Sequence, residues 1–201
     1  MAGEILTSAS IKMKSTKKKI VAIVQARMGA TRLPNKVLMK IGTKTTLQHV
    51  IDRLKKSKLI DDIIIATSKK ERDKEIVNMA KKFGVNYFVG DELDVLKRFY
   101  CAAKKNNADV IIRIPSDEPF IDPSLVDEGI KMHMTHQNDY TSTIINRKLI
   151  KGLDFEIFNF KVLEKINLLD QNPSSREHVT AYMISYCQYS SHIYFLVFVF
   201  N

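Results

Sequence analysis

Arg27, Gly29, Arg32 and Lys36 stand within ten positions of one another, directly after the apolar run Ile20 to Val24. Guanidinium and ammonium groups at that spacing meet the charge of a polyphosphate, and a glycine between them lets backbone approach a ligand closely. The stretch is not a G-x-x-x-x-G-K-[ST] loop or a dinucleotide fingerprint, because Gly29 has no second glycine in register. A second polar concentration runs from Arg113 through Ser116, Asp117 and Glu118 to Pro119. A nucleoside triphosphate on the first stretch would need a divalent cation, for which Asp117 is a suitable hard oxygen ligand. Asp117 also suits a turn in Pro-Ser-Asp-Glu-Pro, and Arg113 could reach phosphate or pair with a neighbouring acid.

These side chains need a scaffold that brings both stretches to one edge. Ile20 to Val24 is β-branched and does not alternate, as expected of a strand buried on both faces of a parallel sheet. Thr45-x-x-Gln48 reads as a capping box for a helix with Leu47, Val50, Ile51 and Leu54 on one face. Ile63 to Ala66 is a second buried strand with Thr67 and Ser68 at its carboxyl end, where open α/β sheets bind ligands. A helix from about Arg72 buries Ile76, Met79, Ala80 and Phe83 and stops at Gly84. Val85 to Val89 is a third strand. Asp91 is the expected cap of the next helix, which buries Val95, Leu96, Phe99 and Ala103. Val110 to Ile114 is the fourth strand, and Asp122-Pro123 opens a helix burying Val126 and Ile130. Asp139 to Ile145 and Asp154 to Phe158 read as further strands, and Ser174-x-x-Glu177 as a capping box for a helix carrying Val179 and Met183. Strands alternating with helices predict an α/β fold, a mainly parallel sheet with helices on both faces. Right-handed crossovers then place the four strand ends on one edge.

The chain of 201 residues suits one domain, and 45% apolar with 27% charged residues describes an ordinary globular protein. We expect a basic arm at residues 1–18, a domain over 19–184 and an apolar tail over 185–201. The net charge of +10 comes largely from scattered lysines, which point to a solvated surface; nucleic-acid binding lacks a basic patch with interleaved aromatics. Cys101 and Cys187 are the only cysteines, so neither a disulfide framework nor a zinc module is indicated, and a reducing cytoplasm is the expected setting. His133 and His136 are expected on the surface. No run approaches the roughly twenty apolar residues of a membrane helix. The tail IYFLVFVF reads as a strand or an aggregation-prone segment.

The run QARMGATRLPNK resembles the opening signature of sugar nucleotidyltransferases of the cytidylyltransferase group. That group includes the acylneuraminate and deoxy-octulosonate cytidylyltransferases and, most nearly, the SpsF-like spore-coat polysaccharide proteins. The resemblance continues through IIIATS, GDELDVLKRFYCAAK, ADVIIRIPSDEPFIDP, KGLDFEIF and SREHVT, covering roughly Lys19 to Tyr182. It implies a glycosyltransferase-A-type, Rossmann-like fold that joins CMP from CTP to a sugar and releases pyrophosphate, with magnesium as cofactor and a homodimer as assembly. In that reading Gln25 and Ala26 border the base, and Arg27, Gly29, Arg32 and Lys36 hold the triphosphate. Arg27 and Lys36 are the catalytic cations. Thr67 and Ser68 line the base or ribose, Asp94, Arg98 and Arg113 lie on the nucleotide side, and Asp117 binds magnesium. Asp154 and Glu156 are either further metal ligands or sugar-side residues, with Arg176 and His178 also toward the sugar. Asn35 replaces the family's usual small residue after Arg-Leu-Pro. From Ser185 the chain departs from the family pattern and has no acid, so a second metal carboxylate is not found there. A nucleotide-binding protein without catalysis is the alternative reading.

Overall fold

Ile20–Gln25 (β1) is the hub of the fold, because its side chains are apolar on both faces and every one from Val21 to Val24 is fully buried. It pairs in parallel with Asp62–Ser68 (β4) on one side and Val110–Pro115 (β6) on the other. The structure, a computed structural model, describes residues 17–29, 33–145, 147 and 149–189. Arg32, residues 1–16 of the basic arm and the apolar tail beyond residue 189 therefore lie outside the described residues.

After β1 come a single 3-10 turn at Lys36–Leu38, a small hairpin of Lys40–Ile41 (β2) and Lys44–Thr45 (β3), and the helix Thr46–Leu54 (α1). The Thr45 hydroxyl accepts from Gln48 N at 3.2 Å, so the expected cap forms. β4 leads through a second 3-10 turn, Glu71–Asp73, into Lys74–Phe83 (α2), which ends at Gly84 with φ 62. There follow Asn86–Gly90 (β5), Val95–Lys105 (α3), β6, Pro123–Thr135 (α4), Tyr140–Ser142 (β7) and Glu156–Asn159 (β8). Phe160–Leu169 (α5), Pro173–Glu177 (α6) and Ala181–Tyr189 (α7) complete the described chain. Sheet order is β5-β4-β1-β6-β8-β7, with β8 antiparallel to both its neighbours.

Alternate side chains of the central strands feed two cores. Ala22, Val24, Ile65 and Ile112 pack with Leu47, Ile51, Ile76 and Val126 on the α1, α2 and α4 face. Val21, Ile23, Ile64 and Ile111 pack with Leu96, Phe99, Leu163 and Met183 on the α3, α5 and α7 face. The predicted α/β architecture is therefore present, with the carboxyl ends of β1, β4, β5 and β6 on one edge. Among the described residues no helix is long and apolar enough to cross a membrane.

Four local expectations are corrected. Asp94, not Asp91, caps α3: it accepts from Lys97 N at 3.0 Å, while the Asp91 carboxylate closes the preceding turn on Leu93 N and Asp94 N. The strand expected from Asp139 to Ile145 is only Tyr140–Ser142. Beyond it Thr143 N still donates to Phe155 O at 3.2 Å, and the Thr143 hydroxyl accepts from Phe155 N at 3.0 Å and donates to Phe155 O at 3.1 Å. Ser174 does not cap a helix through Met183. Asn172 caps a five-residue α6, and Val179, at φ 58, breaks the chain before α7, a conformation uncommon for a β-branched residue. His133 is buried rather than exposed, lying between Thr141 Oγ1 at 3.0 Å and Asn159 Oδ1 at 3.4 Å.

Candidate active site at the carboxyl edge of the sheet

The loop that leaves β1 is pinned by backbone and carboxylate together. Ala26 is buried and its N–H continues the ladder to Ala66 O at 3.1 Å. Met28 N donates to Asp73 Oδ1 at 2.7 Å, and Met28 O accepts from Asn35 N at 3.1 Å, closing the excursion that begins at Gly29. Asn35 takes the left-handed conformation, φ 59, at the point where the chain turns into the Lys36 helical turn. This delivers Lys36 to Asp117, and the two side chains form an ion pair across the edge.

Gly29 matters for a neighbour that sequence reasoning missed. A Cβ built there would lie 2.6 Å from Arg72 Nη2, because the Arg72 guanidinium, paired with Glu92, crosses the glycine. Arg27 donates to Glu177 Oε1 of α6 at 3.2 Å and keeps 29% of its side chain exposed.

At the end of β4 the Thr67 hydroxyl is buried without a hydrogen-bond partner among the described residues, whereas Ser68 turns its hydroxyl onto Asp73. Arg98 is 1% exposed beneath Gly90 and donates Nη1 to Asp91 O at 2.5 Å; its Nε and Nη2 have no partner among the described residues. Burial, with Arg27 nearby, pulls the Arg98 guanidinium down to about 10. Asp94 is engaged on the same side, its two oxygens receiving Arg176 Nε and Nη2 at 3.0 Å each. Arg176 also holds Asn167 O and Asp170 O, so it ties α3 and α5 to α6. His178 is exposed at the end of α6 and its backbone N–H donates to Ser175 O at 3.0 Å.

On the β6 side, Arg113 takes the acid partner that was one of its two readings. Nη1 pairs with Glu156, whose other oxygen receives the Tyr140 hydroxyl, and Nη2 reaches Gln25 Oε1 at 3.3 Å. Glu156 is 1% exposed and fully engaged. Asp154 pairs with Arg147, Nη2 to Oδ2 at 2.7 Å. Glu118 is pushed up to about 7, first by burial and then by the nearby Asp154 and Asp117 carboxylates. Its Oε2 is buried without a partner among the described residues. Among the described residues no group of three His, Cys, Asp or Glu is placed to hold a metal by itself.

The edge thus gathers Gln25, Arg27, Gly29, Lys36, Thr67, Arg98, Arg113 and Asp117, with Arg27 and Arg113 held by Glu177 and Glu156, and Asp94 by Arg176. Arg72 was read only as the start of a helix, and Asp73 went unnoticed because an acid before a helix reads as a cap. Asp73 stands at the N-cap of α2 but makes no side-chain cap bond, since both its oxygens face the strand ends.

Residues 21–195 match the cytidylyltransferase family. The chain is 38% identical over 169 residues to the spore coat polysaccharide biosynthesis protein SpsF of Bacillus subtilis, covering 82% of this chain and 69% of that one. It is 34% identical over 134 residues to the 3-deoxy-manno-octulosonate cytidylyltransferase of Solibacter usitatus, covering 66% of this chain but only 51% of that one. Among solved structures, a cytidylyltransferase from Leptospira borgpetersenii serovar Hardjo-bovis superposes with a TM-score of 0.82 at 33% identity, over 85% of this chain and 73% of that one. The family match runs from β1 through α7, and the chain belongs to the cytidylyltransferase family.

Proposed function

We propose that this chain joins CMP from CTP to a sugar, an acidic or otherwise unusual one destined for surface polysaccharide, and releases pyrophosphate. The observation that carries the reading is the meeting of Lys36 with Asp117, which puts a phosphate-binding cation and a hard carboxylate on one edge. The relatives' names support the substrate class, one for spore coat polysaccharide and one for an octulosonate.

Arg27, Gly29, Arg32 and Lys36 hold the triphosphate; Gln25, Ala26 and Thr67 border the base and ribose. A sugar hydroxyl attacks the α-phosphorus, and negative charge grows on the departing pyrophosphate. Arg27 and Lys36 act there, because cations fixed in advance are worth most where charge develops. Asp94, Glu156 and Arg176 hold the walls, and Asp154 and His178 lie toward the sugar.

A divalent cation fits the donor set. Asp117 is a carboxylate with 42% of its side chain exposed, and magnesium is usually held by one or two carboxylates together with substrate phosphates. When bound, that cation neutralises phosphate charge; Asp117 would hold it and Lys36 would turn from Asp117 to the phosphates. The cytoplasm, where CTP is made, is the setting of this proposal, with a homodimer as the assembly.

The test incubates the full chain with magnesium, each nucleoside triphosphate in turn and a panel of eight- and nine-carbon acidic sugars, and measures pyrophosphate. Release that depends on both CTP and sugar is expected. CTP binding with no pyrophosphate from any sugar would favour a nucleotide-binding protein without catalysis.

A further inference from the structure

We propose that Asp73 is a positioning residue for the nucleotide loop, holding Met28 so that Arg27 and Gly29 on either side of it are fixed before substrate arrives. The inference rests on the functional reading above for the identity of the substrate, and on geometry alone for the pin.

Asp73 is fully buried, at 0% exposure. One oxygen accepts Met28 N–H at 2.7 Å and the other accepts the Ser68 hydroxyl. Both backbone groups of Met28 are thereby committed, the N–H to Asp73 and the carbonyl to Asn35 N. A carboxylate withdrawn from water is costly unless hydrogen bonds and opposite charge compensate it. Here two donors do so, and the buried Arg98 lies on the same side, drawn to Asp73 and repelled by Arg27.

Stability alone is a poor reason for such a group, since apolar replacements of buried charges are often as stable. Its placement gives a better one. Among the described residues its carboxylate joins the loop after β1, at Met28, and the end of β4, at Ser68, both on the substrate edge. A loop held in its bound shape loses less conformational freedom on binding, which raises affinity without a new contact. Asp73 itself touches no ligand in this scheme.

The test uses the full chain with Asp73→Asn and Asp73→Ala. Amide hydrogen exchange at Met28 is measured in the free protein, and KM for CTP, kcat and melting midpoint in parallel. Asparagine keeps the shape and one acceptor oxygen, so it folds and exchanges its charge-assisted bond for a neutral one. Met28 exchange and KM for CTP should each rise by about tenfold in Asp73→Asn, and further in Asp73→Ala, with kcat changing less than KM. Unchanged Met28 exchange in the folded Asp73→Asn protein overturns the pin. Faster exchange with an unaltered KM overturns its role in binding. If the wild-type chain turns over no nucleotide, the functional reading falls, and exchange at Met28 still decides whether Asp73 holds the loop.

Discussion

Lys36 donates to Asp117 across 81 residues of sequence, so in the free protein a phosphate-seeking ammonium and a metal-seeking carboxylate neutralise each other. The pair is partly exposed and contributes little to stability by itself. Substrate and cation would each take one partner, replacing one interaction by two.

Lys36→Ala should therefore fold normally and lose turnover. Removing one donor from a site of developing charge typically costs about 3 kcal/mol, or roughly a hundredfold in rate. Pyrophosphate release by the variant, normalised to correctly folded protein by circular dichroism, is the measurement. Unchanged turnover would remove Lys36 from the mechanism.

Gly29→Ala should displace Arg72 rather than disturb the backbone, because the added methyl meets the far end of that side chain. Only the Arg72–Glu92 pair is lost, and with half of the Arg72 side chain exposed the expected destabilisation is under about 1 kcal/mol. CTP affinity should fall more than stability. In an Arg72→Ala background the same change should cost nothing further, since the pair is already gone, so additive losses in urea melts would show that the strain lies elsewhere.

Arg176→Ala should unsettle the α3, α5 and α6 contact. It strips Asp94 of a two-point partner and leaves Asn167 O and Asp170 O without their donor. Breaking such a partly buried charged network costs on the order of 3 kcal/mol. Chemical denaturation gives this directly, and a loss below about 0.5 kcal/mol would mark the network as replaceable.

His133 supplies a pH dependence. Burial pulls its imidazole down to about 4, with Asn159 and Asp139 opposing and Lys18 assisting that shift. The Thr141 hydroxyl accepts from Asn138 Nδ2 and can donate to Nδ1, which suits the neutral ring with its proton on Nε2 toward Asn159. The unfolded chain binds a proton near pH 6.5 that the folded chain refuses until about pH 4, so stability is full above 6.5 and declines as pH falls between those values. Wild type should lose about 2.5 kcal/mol more than His133→Gln between pH 7 and 4.5. Parallel losses in urea titrations at the two pH values would sink the assignment.

The parallel framework was legible because Ile20 to Val24 and Ile63 to Ala66 are continuous apolar runs, and because Gly84, Asp122 and Thr45 act locally. What sequence hid was set across space. Asp91 and Asp94 offer the same carboxylate three residues apart, and only the turn geometry decides which one caps α3. His133 looks like a surface residue on α4 until β7 and β8 supply Thr141 and Asn159. Arg27, Lys36 and Asp117 were visible as candidates, whereas Asp73 was not, since its partners lie 45 and 5 residues away on other elements.

The central place of β1 bears on how the chain matures during synthesis. The strand emerges first, yet its partners are β4, beginning at Asp62, and β6, beginning at Val110. A strand apolar on both faces must therefore wait, with one edge open, until the chain as far as β6 has left the ribosome. Substitutions that roughen β6 or delay its pairing would be felt as nascent-chain aggregation and low yield before they were felt as altered catalysis. Co-expression with a chaperone that shields exposed strands should then restore soluble protein of ordinary stability.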